Sequence, residues 1–337
     1  RGTFPNGQPG NIIGGVYEGP VEGTYACFLA ERAIEKMKSF LNNPAQPFFL
    51  ALHFFAPHLP YFLPESHINL YNPQDIPLPK SMNETFENKP IVQRHYAAHW
   101  CFDCFSKEDW QKIISMYWAD VTLVDEQIGR VLRFLDDNGL TEHTAVFFTA
   151  DHGAFVGSHK LSDKGPAMYD DIYRIPFITR FPGLVQPQFI CSEFVSPLID
   201  LTATFLDLCD IPVPSHFDGR SIIPLLKGDI PTDWRKEIYA EFHGHHFPFP
   251  QRMIRSKTHK LIINPADIDE LYDLVNDPDE MVNQIDNDAY KRVKLSLTEK
   301  LYHHLQKTGD NFYHWMTSMH NVSASAQNTE SSSFAKK

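Results

Sequence analysis

The chain has 337 residues, 42% of them apolar and 13% aromatic, enough for one large or two modest domains around packed cores. Forty-two acidic against 30 basic side chains give a formal net charge of −12, which excludes nucleic acid as the main partner, since phosphate backbones select basic faces. No apolar run approaches the roughly 20 residues of a membrane span, and five cysteines in so long a chain do not describe a disulfide scaffold.

Residues 1–23 are glycine-rich and read as loop. Across 25–41 the apolar positions Phe28, Leu29, Ile34, Met37 and Leu41 recur at helical spacing, and Asn42-Asn43-Pro44 ends the pattern. The dense apolar run 48–55 predicts a buried parallel strand. Residues 56–90 hold many prolines and predict an extended surface excursion. A long helical period over 107–138 stops at Gly139. Strands are predicted at 144–149 and 177–180, and a short helix at 199–207. This alternation argues for an α/β fold with a parallel sheet and helices on both faces. From Trp234 the character changes. Short strand-like pieces at 237–242, 251–255, 259–263 and 270–274 predict an antiparallel sheet, and 289–306 reads as a helix. The polar tail after Asn321 reads as disordered. The organisation expected is therefore a core over 1–233, a carboxyl-terminal antiparallel sheet and helix over 234–318, and a tail over 319–337.

The stretch from Phe147 to Tyr169 carries the densest chemistry. An apolar strand delivers Asp151-His152-Gly153 into the loop at its carboxyl end, where open α/β sheets place their sites. A carboxylate oxygen beside an imidazole nitrogen suits a divalent cation, and Lys164, ahead of Gly165-Pro166, suits an oxyanion. Read alone, Asp before Gly is also an ordinary turn, and a single lysine is usually a solvated one. His58, in Pro57-His58-Leu59-Pro60, reads either as part of a rigid turn or as an imidazole just past the end of a strand. His159 is expected to brace its loop, and His53 to be a satisfied core histidine. His95, His99, Cys101 and Cys104 have a spacing that resembles a zinc set, although the two cysteines read equally as apolar contacts. His243, His245 and His246 form either a pocket rim or a solvated loop. Asn83-Glu84-Thr85 and Asn321-Val322-Ser323 are glycosylation sequons, meaningful only in a protein secreted by a eukaryote.

Taken in order, these segments resemble the sulfatases of the alkaline-phosphatase-like superfamily. The resemblance rests on Pro47-Phe48-Phe49-Leu50 through Pro57-His58-Leu59-Pro60, on Tyr117-Trp118-Ala119-Asp120 through Gly129-Arg130, and on Asp151-His152-Gly153 with Lys164. It continues in Arg174-Ile175-Pro176-Phe177 through Pro182-Gly183, in Asp218-Gly219-Arg220-Ser221, and in Leu271-Tyr272-Asp273-Leu274 with Asp277-Pro278-Asp279-Glu280. It implies an alkaline-phosphatase-like α/β/α sandwich, its amino-terminal strands missing, with a smaller carboxyl-terminal α+β subdomain. It implies metal-dependent hydrolysis of sulfate esters, the substrate being a sulfated small molecule or glycan. Asp151 and His152 would then hold Ca²⁺, with Mg²⁺ or Mn²⁺ as alternatives. Lys164 would bind sulfate, and His58 would bind substrate and assist the leaving alcohol.

One departure stands out. The family's nucleophile is a formylglycine made from a cysteine in a Cys-x-Pro/Ala-x-Arg context. None of Cys27, Cys101, Cys104, Cys191 and Cys209 fits that motif, and Cys27 misses it by one residue. Nor is the family's first strand, with its metal-binding aspartates, recognisable before residue 47. The expectation is a carboxyl-terminal two-thirds of a longer protein, which alone would turn over negligible sulfate ester. The rival is a natural chain without the nucleophile. A phosphodiesterase or phosphonate monoester hydrolase of the same superfamily, or a non-catalytic relative that binds sulfated glycans, are the alternative functions. Nothing in the sequence assigns a compartment.

Overall fold

The computed structural model describes residues 12–245, 248–265 and 267–319. The expected disordered tail, the Asn321 sequon, His246 and the first part of the amino-terminal loop lie outside the described residues. The chain divides into two compact units, one from residues 1–84 with 95–232 and one from 85–94 with 233–337.

In the first unit, strand β1 (Gly14–Tyr17) runs parallel to β2 (Tyr61–Pro64), with Gly14 opposite Tyr61. Helix α1 (Tyr25–Phe40) begins at Thr24, whose side chain accepts from the Cys27 amide, a standard way of satisfying a free helix-end donor. Short α2 (Glu65–Ile68) follows β2, and α3 (Ile91–His99) starts in residues of the second unit and ends in residues of the first. The long helix α4 (Lys107–Asp137) opens with a reciprocal capping box between Ser106 and Asp109. It closes on Gly139, whose φ of +65° lets the Leu140 amide reach back to the Leu135 carbonyl at 2.9 Å, a turn that favours glycine. Trp110, Ile113, Ile114, Ala119, Leu123 and Val124 form its buried face, spaced as a helix stripe requires. Helix α1 packs on α4 around Ile34, Met37 and Leu135.

Strand β3 (Val146–Thr149) pairs with β6 (Phe177–Arg180), and between them lies the hairpin β4 (Phe155–Val156) and β5 (Ser162–Asp163), followed by α5 (Asp170–Tyr173). Helices α6 (Pro197–Leu208) and α7 (Ile223–Leu226) complete the unit. Gly219 is required where it stands, because a Cβ there would lie 1.9 Å from the Ile199 carbonyl oxygen.

Four local expectations are corrected. Pairing between β3 and β6 is antiparallel, whereas a parallel sheet was expected; periodicity reports which faces are buried but not strand direction. Residues 48–55 lie outside every ladder, and exposure alternates along them, with Phe49 70% exposed. Phe48 stacks on Phe40 at 4.9 Å and Leu50 joins the α1–α4 cluster, so the run is extended and packed on one side only. His53 falls on the open side and is exposed, not a core histidine. Residues 56–90 are more than a surface excursion, since Tyr61 and Leu63 are buried in β2.

In the second unit, β7 (Glu237–Phe242), β8 (Gln251–Ser256), β9 (His259–Ile263) and β10 (Glu270–Asp273) form an antiparallel sheet in the order β10-β9-β8-β7. Helices α8 (Lys291–Thr308) and α9 (Phe312–Met319) pack with it around Ile254, Leu261, Leu271, Leu297, Leu301 and Met316. Residues 85–94 dock on this sheet through buried polar contacts. Lys89 Nζ donates to the Tyr272 hydroxyl at 2.9 Å and to the Glu280 carbonyl at 2.7 Å, and Gln93 donates to Glu270 at 3.0 Å. Lys260 and Glu280 form a fully buried ion pair at 2.7 Å.

Candidate active site

The site grows from the end of β3. Thr149 donates its hydroxyl to the Pro176 carbonyl at 2.9 Å, and the chain then turns through Asp151, His152 and Gly153. The His152 amide donates to Asp151 Oδ1 at 2.9 Å, and the ring's Nδ1 lies 2.7 Å from the Gly153 carbonyl. A carbonyl only accepts, so Nδ1 carries the proton and the Nε2 lone pair is left open. Nε2 sits 3.7 Å from Asp151 Oδ2, on a carboxylate that is 82% exposed. Gly153 anchors the turn by donating to the Ile172 carbonyl at 2.8 Å. A Cβ at Gly153 would meet the Asp171 carbonyl oxygen at 1.8 Å, so only glycine allows this approach.

The hairpin does the next piece of positioning. Phe155 of β4 faces Asp163 of β5 in antiparallel register. The segment entering at Phe155 and the segment leaving at Asp163 therefore lie at one end of the hairpin. Asp151 and His152 precede that end by only a few residues, and Lys164 follows it directly.

Lys164 Nζ lies 2.9 Å from His58 Nε2 and 3.1 Å from Asp163 Oδ1. His58 Nδ1 is 2.7 Å from the Leu59 carbonyl, which fixes the proton there and makes Nε2 an acceptor for the ammonium. An ammonium has three protons. His58 and Asp163 take one each, and the third is left for an incoming acceptor. The Lys164 side chain is 24% exposed, open to a ligand but shielded enough to strengthen its charge interactions. Behind β2, Tyr61 packs edge-on against Tyr117 at 5.8 Å. Burial, with the nearby Tyr117, Asp120 and Asp163, holds the Tyr61 hydroxyl far above the usual tyrosine range. Burial pushes the Asp120 carboxyl of α4 up to about 6.

The structure thus gathers the predicted residues as two pairs, Lys164 with His58 and Asp151 with His152. Among the described residues no hydrogen bond or ion pair joins one pair to the other. The second pair fits a cation in part. A ligand oxygen and a ring nitrogen 3.7 Å apart can both touch one ion at metal–ligand distances of about 2.0–2.6 Å, and the Gly153 carbonyl orients the ring from behind, as an outer partner of a metal-bound histidine does. Two donors are only part of a coordination set, and among the described residues no group of three or more His, Cys, Asp or Glu side chains is arranged to hold a metal ion.

The other histidines divide. His159 is buried, bonded through Nδ1 to Glu84 at 3.0 Å and stacked on Tyr169 at 3.7 Å, a brace for the hairpin turn. His95 and His99 are exposed, and Cys101 and Cys104 are joined in a disulfide. That bond removes the thiolates a zinc site would need, so the zinc-like spacing is corrected. It also corrects the reading of the two cysteines as ordinary apolar contacts. His243 is exposed and bonds Glu241 at 3.0 Å, as a solvated loop histidine does. Two site residues escaped the sequence reading. Asp163, 3.1 Å from Lys164 Nζ, and Tyr96, whose hydroxyl donates to the Ser162 carbonyl at 3.2 Å, were given no role there.

Comparison with known proteins gives the same direction. Residues 9–211 match the family model described as Sulfatase, and residues 157–307 match the one described as N-sulphoglucosamine sulphohydrolase, C-terminal. The chain is 33% identical over 301 residues to the uncharacterized sulfatase YidJ of Escherichia coli strain K12, an alignment covering 87% of the chain and 58% of that relative. It resembles the solved structure of BT4656 in complex with its substrate D-glucosamine-2-N,6-O-disulfate, with a TM-score of 0.73 and 26% identity over 84% of the chain and 70% of that protein. It also resembles the phosphonate monoester hydrolase of Agrobacterium radiobacter, with a TM-score of 0.70 and 25% identity over 88% of the chain and 64% of that protein. The chain spans little more than half the length of the curated relative.

Proposed function

The chain belongs to the sulfatase family, with the alkaline-phosphatase-like fold, and from that premise we propose that it holds the sulfate cradle of a metal-dependent sulfuric ester hydrolase. The observation that carries this reading is the 2.9 Å contact between Lys164 Nζ and His58 Nε2, with Asp163 Oδ1 3.1 Å from the same ammonium and 3.9 Å from the same ring nitrogen. Lys164 directs its remaining N–H at a sulfate oxygen and offsets negative charge on the ester. His58 stands where the departing alcohol leaves. With its Nδ1 proton committed to the Leu59 carbonyl, His58 Nε2 accepts from the Lys164 ammonium and holds it beside the departing alkoxide, which takes the third ammonium proton and leaves a neutral amine for solvent to reprotonate. Asp163 holds the Lys164 nitrogen in reach throughout. Asp151 and His152 would hold the metal ion, Ca²⁺ or else Mg²⁺ or Mn²⁺, which when bound supplies positive charge to the sulfate oxygens. No cysteine among the 337 residues sits in a Cys-x-Pro/Ala-x-Arg context, so these residues bind, orient and protonate, and a formylglycine nucleophile is not among them. The ester is a sulfated sugar, in line with the disulfated glucosamine held by the solved relative.

The test is to titrate inorganic sulfate into the protein and follow the His58 ring signals by NMR. Saturable binding is expected, weakened tenfold or more in Lys164→Met, in line with about 1.4 kcal/mol or more for a charge-assisted contact. Equal binding by Lys164→Met contradicts the reading. The likeness to a phosphonate monoester hydrolase supports a second reading, a cradle for phosphonate esters. Methylphosphonate titrated alongside separates them, and tighter binding of methylphosphonate would favour the second.

A further inference from the structure

We propose that Tyr96 is the positioning residue of Lys164, holding the backbone on both sides of it; the proposal rests on Lys164 as the sulfate ligand. Tyr96 projects from α3 and is 1% exposed. Its hydroxyl donates to the Ser162 carbonyl at 3.2 Å, two residues before Lys164. Its ring covers Gly165, the residue after Lys164. A Cβ on Gly165 would meet the ring at 2.7 Å, and Gly165 has a φ of +64°, a conformation that favours glycine. One rigid side chain therefore grips the strand before the lysine and roofs the turn after it.

The ring is itself held. Phe102 meets it edge-on with centroids 5.9 Å apart, and Phe102 packs on Trp110 at 6.1 Å. Trp110 in turn lies 3.3 Å from where a Cβ on Gly157 would sit, at the closed end of the same hairpin. Phe102 stands in the short turn bridged by the Cys101–Cys104 disulfide. The hairpin thus rests on an aromatic floor along its length, with Tyr96 under the end that carries Lys164. Such edge-to-face contacts fix ring orientation as well as burying area. Asp163 adds a reason for accuracy. Lys164 must meet both Asp163 and His58 at hydrogen-bond distance, and a small backbone shift loses one of them.

Tyr96→Phe removes the hydroxyl and keeps the ring, so the floor stays packed. The decisive experiment is a double-mutant cycle on the affinity for inorganic sulfate, with Tyr96→Phe, Lys164→Met and both together. Tyr96→Phe is expected to weaken sulfate about threefold to tenfold when Lys164 is present, the scale of one hydrogen bond, and to cost nothing further in Lys164→Met. Gly165→Ala, which presses on the ring from the other side, is the second probe and should show the same dependence on Lys164. Equal losses from Tyr96→Phe in both backgrounds, or no loss in either, overturn the positioning role. If Lys164→Met alone leaves sulfate affinity unchanged, the sulfate reading of Lys164 fails and this proposal falls with it. The single substitution tells that result apart from the others.

Discussion

Lys164, one basic residue among 30 in the sequence, meets two specific partners in the folded chain. What sets it apart from other lysines is a pair of partners, Asp163 at 3.1 Å and His58, from a distant segment, at 2.9 Å. An ammonium so placed has one donor to spare, pointed by two fixed partners. At this scale the turn at Gly153 makes the clearest prediction. Gly153→Ala would press a methyl into the Asp171 carbonyl, and backbone cannot step aside as a side chain can. A loss of about 3 kcal/mol or more is expected in denaturant unfolding, the cost of forcing atoms into a packed site. A loss below about 1 kcal/mol would show that the turn is looser than this geometry. Metal binding gives a second test. Ca²⁺ should raise the melting temperature of the protein and not of Asp151→Asn, because a ligand that binds only the folded state stabilises it. An equal rise in both would remove Asp151 from the ligand set. His58, Lys164, Asp151 and His152 were singled out as candidates because each stood in a segment that resembled a family. Asp163 and Tyr96 were not, because their importance comes from partners that only folding supplies.

Among the elements, α4 carries a testable conflict. Its buried face includes the carboxyl of Asp120, 6% exposed and raised by burial from 3.8 to about 6. A carboxyl raised on folding favours the folded state while protonated. Its contribution is full below pH 3.8 and is lost as pH rises through about 6. At neutral pH the charged form costs on the order of 3 kcal/mol by linkage, an upper figure. Asp120→Asn is therefore expected to stabilise the protein by about 1–3 kcal/mol at pH 7 and by nothing measurable near pH 4. A gain of equal size at both values would mean that burial of the charge is not the cause. The same scale shows where sequence reading works. Helix α1 and β7 through β10 were legible because their apolar positions keep one period from end to end and meet clear stops. Residues 48–55 misled because an extended run packed on one face and bare on the other has the composition of a buried strand. The direction of β6 against β3 has no signature in either strand, since both edges of a ladder look alike in sequence.

For the molecule as a whole, each unit has its own core, and each core can be tested alone. Leu301 of α8 is 1% exposed in the core of the second unit, so Leu301→Ala should cost about 2–5 kcal/mol. A cost under about 1 kcal/mol would mean that α8 does not close that core. The boundary expected near residue 233 was read from a change from mixed helix and strand to closely spaced strands. The docking of 85–94 onto the second sheet was not, because it depends on Lys89 and Gln93 finding partners nearly two hundred residues away. Net charge of −12 belongs to the whole surface and does not bar the proposed sulfate site, because local charge outweighs distant charge through screened water. The central claim is that Asp151 and His152 grip a cation beside the sulfate held by Lys164 and His58. Paramagnetic Mn²⁺ added to the protein tests it directly by NMR. The account predicts that the ring signals of His152 and His58 broaden together, and that Asp151→Asn abolishes both effects. Broadening of His152 while His58 stays sharp would put the two pairs in separate places and contradict it.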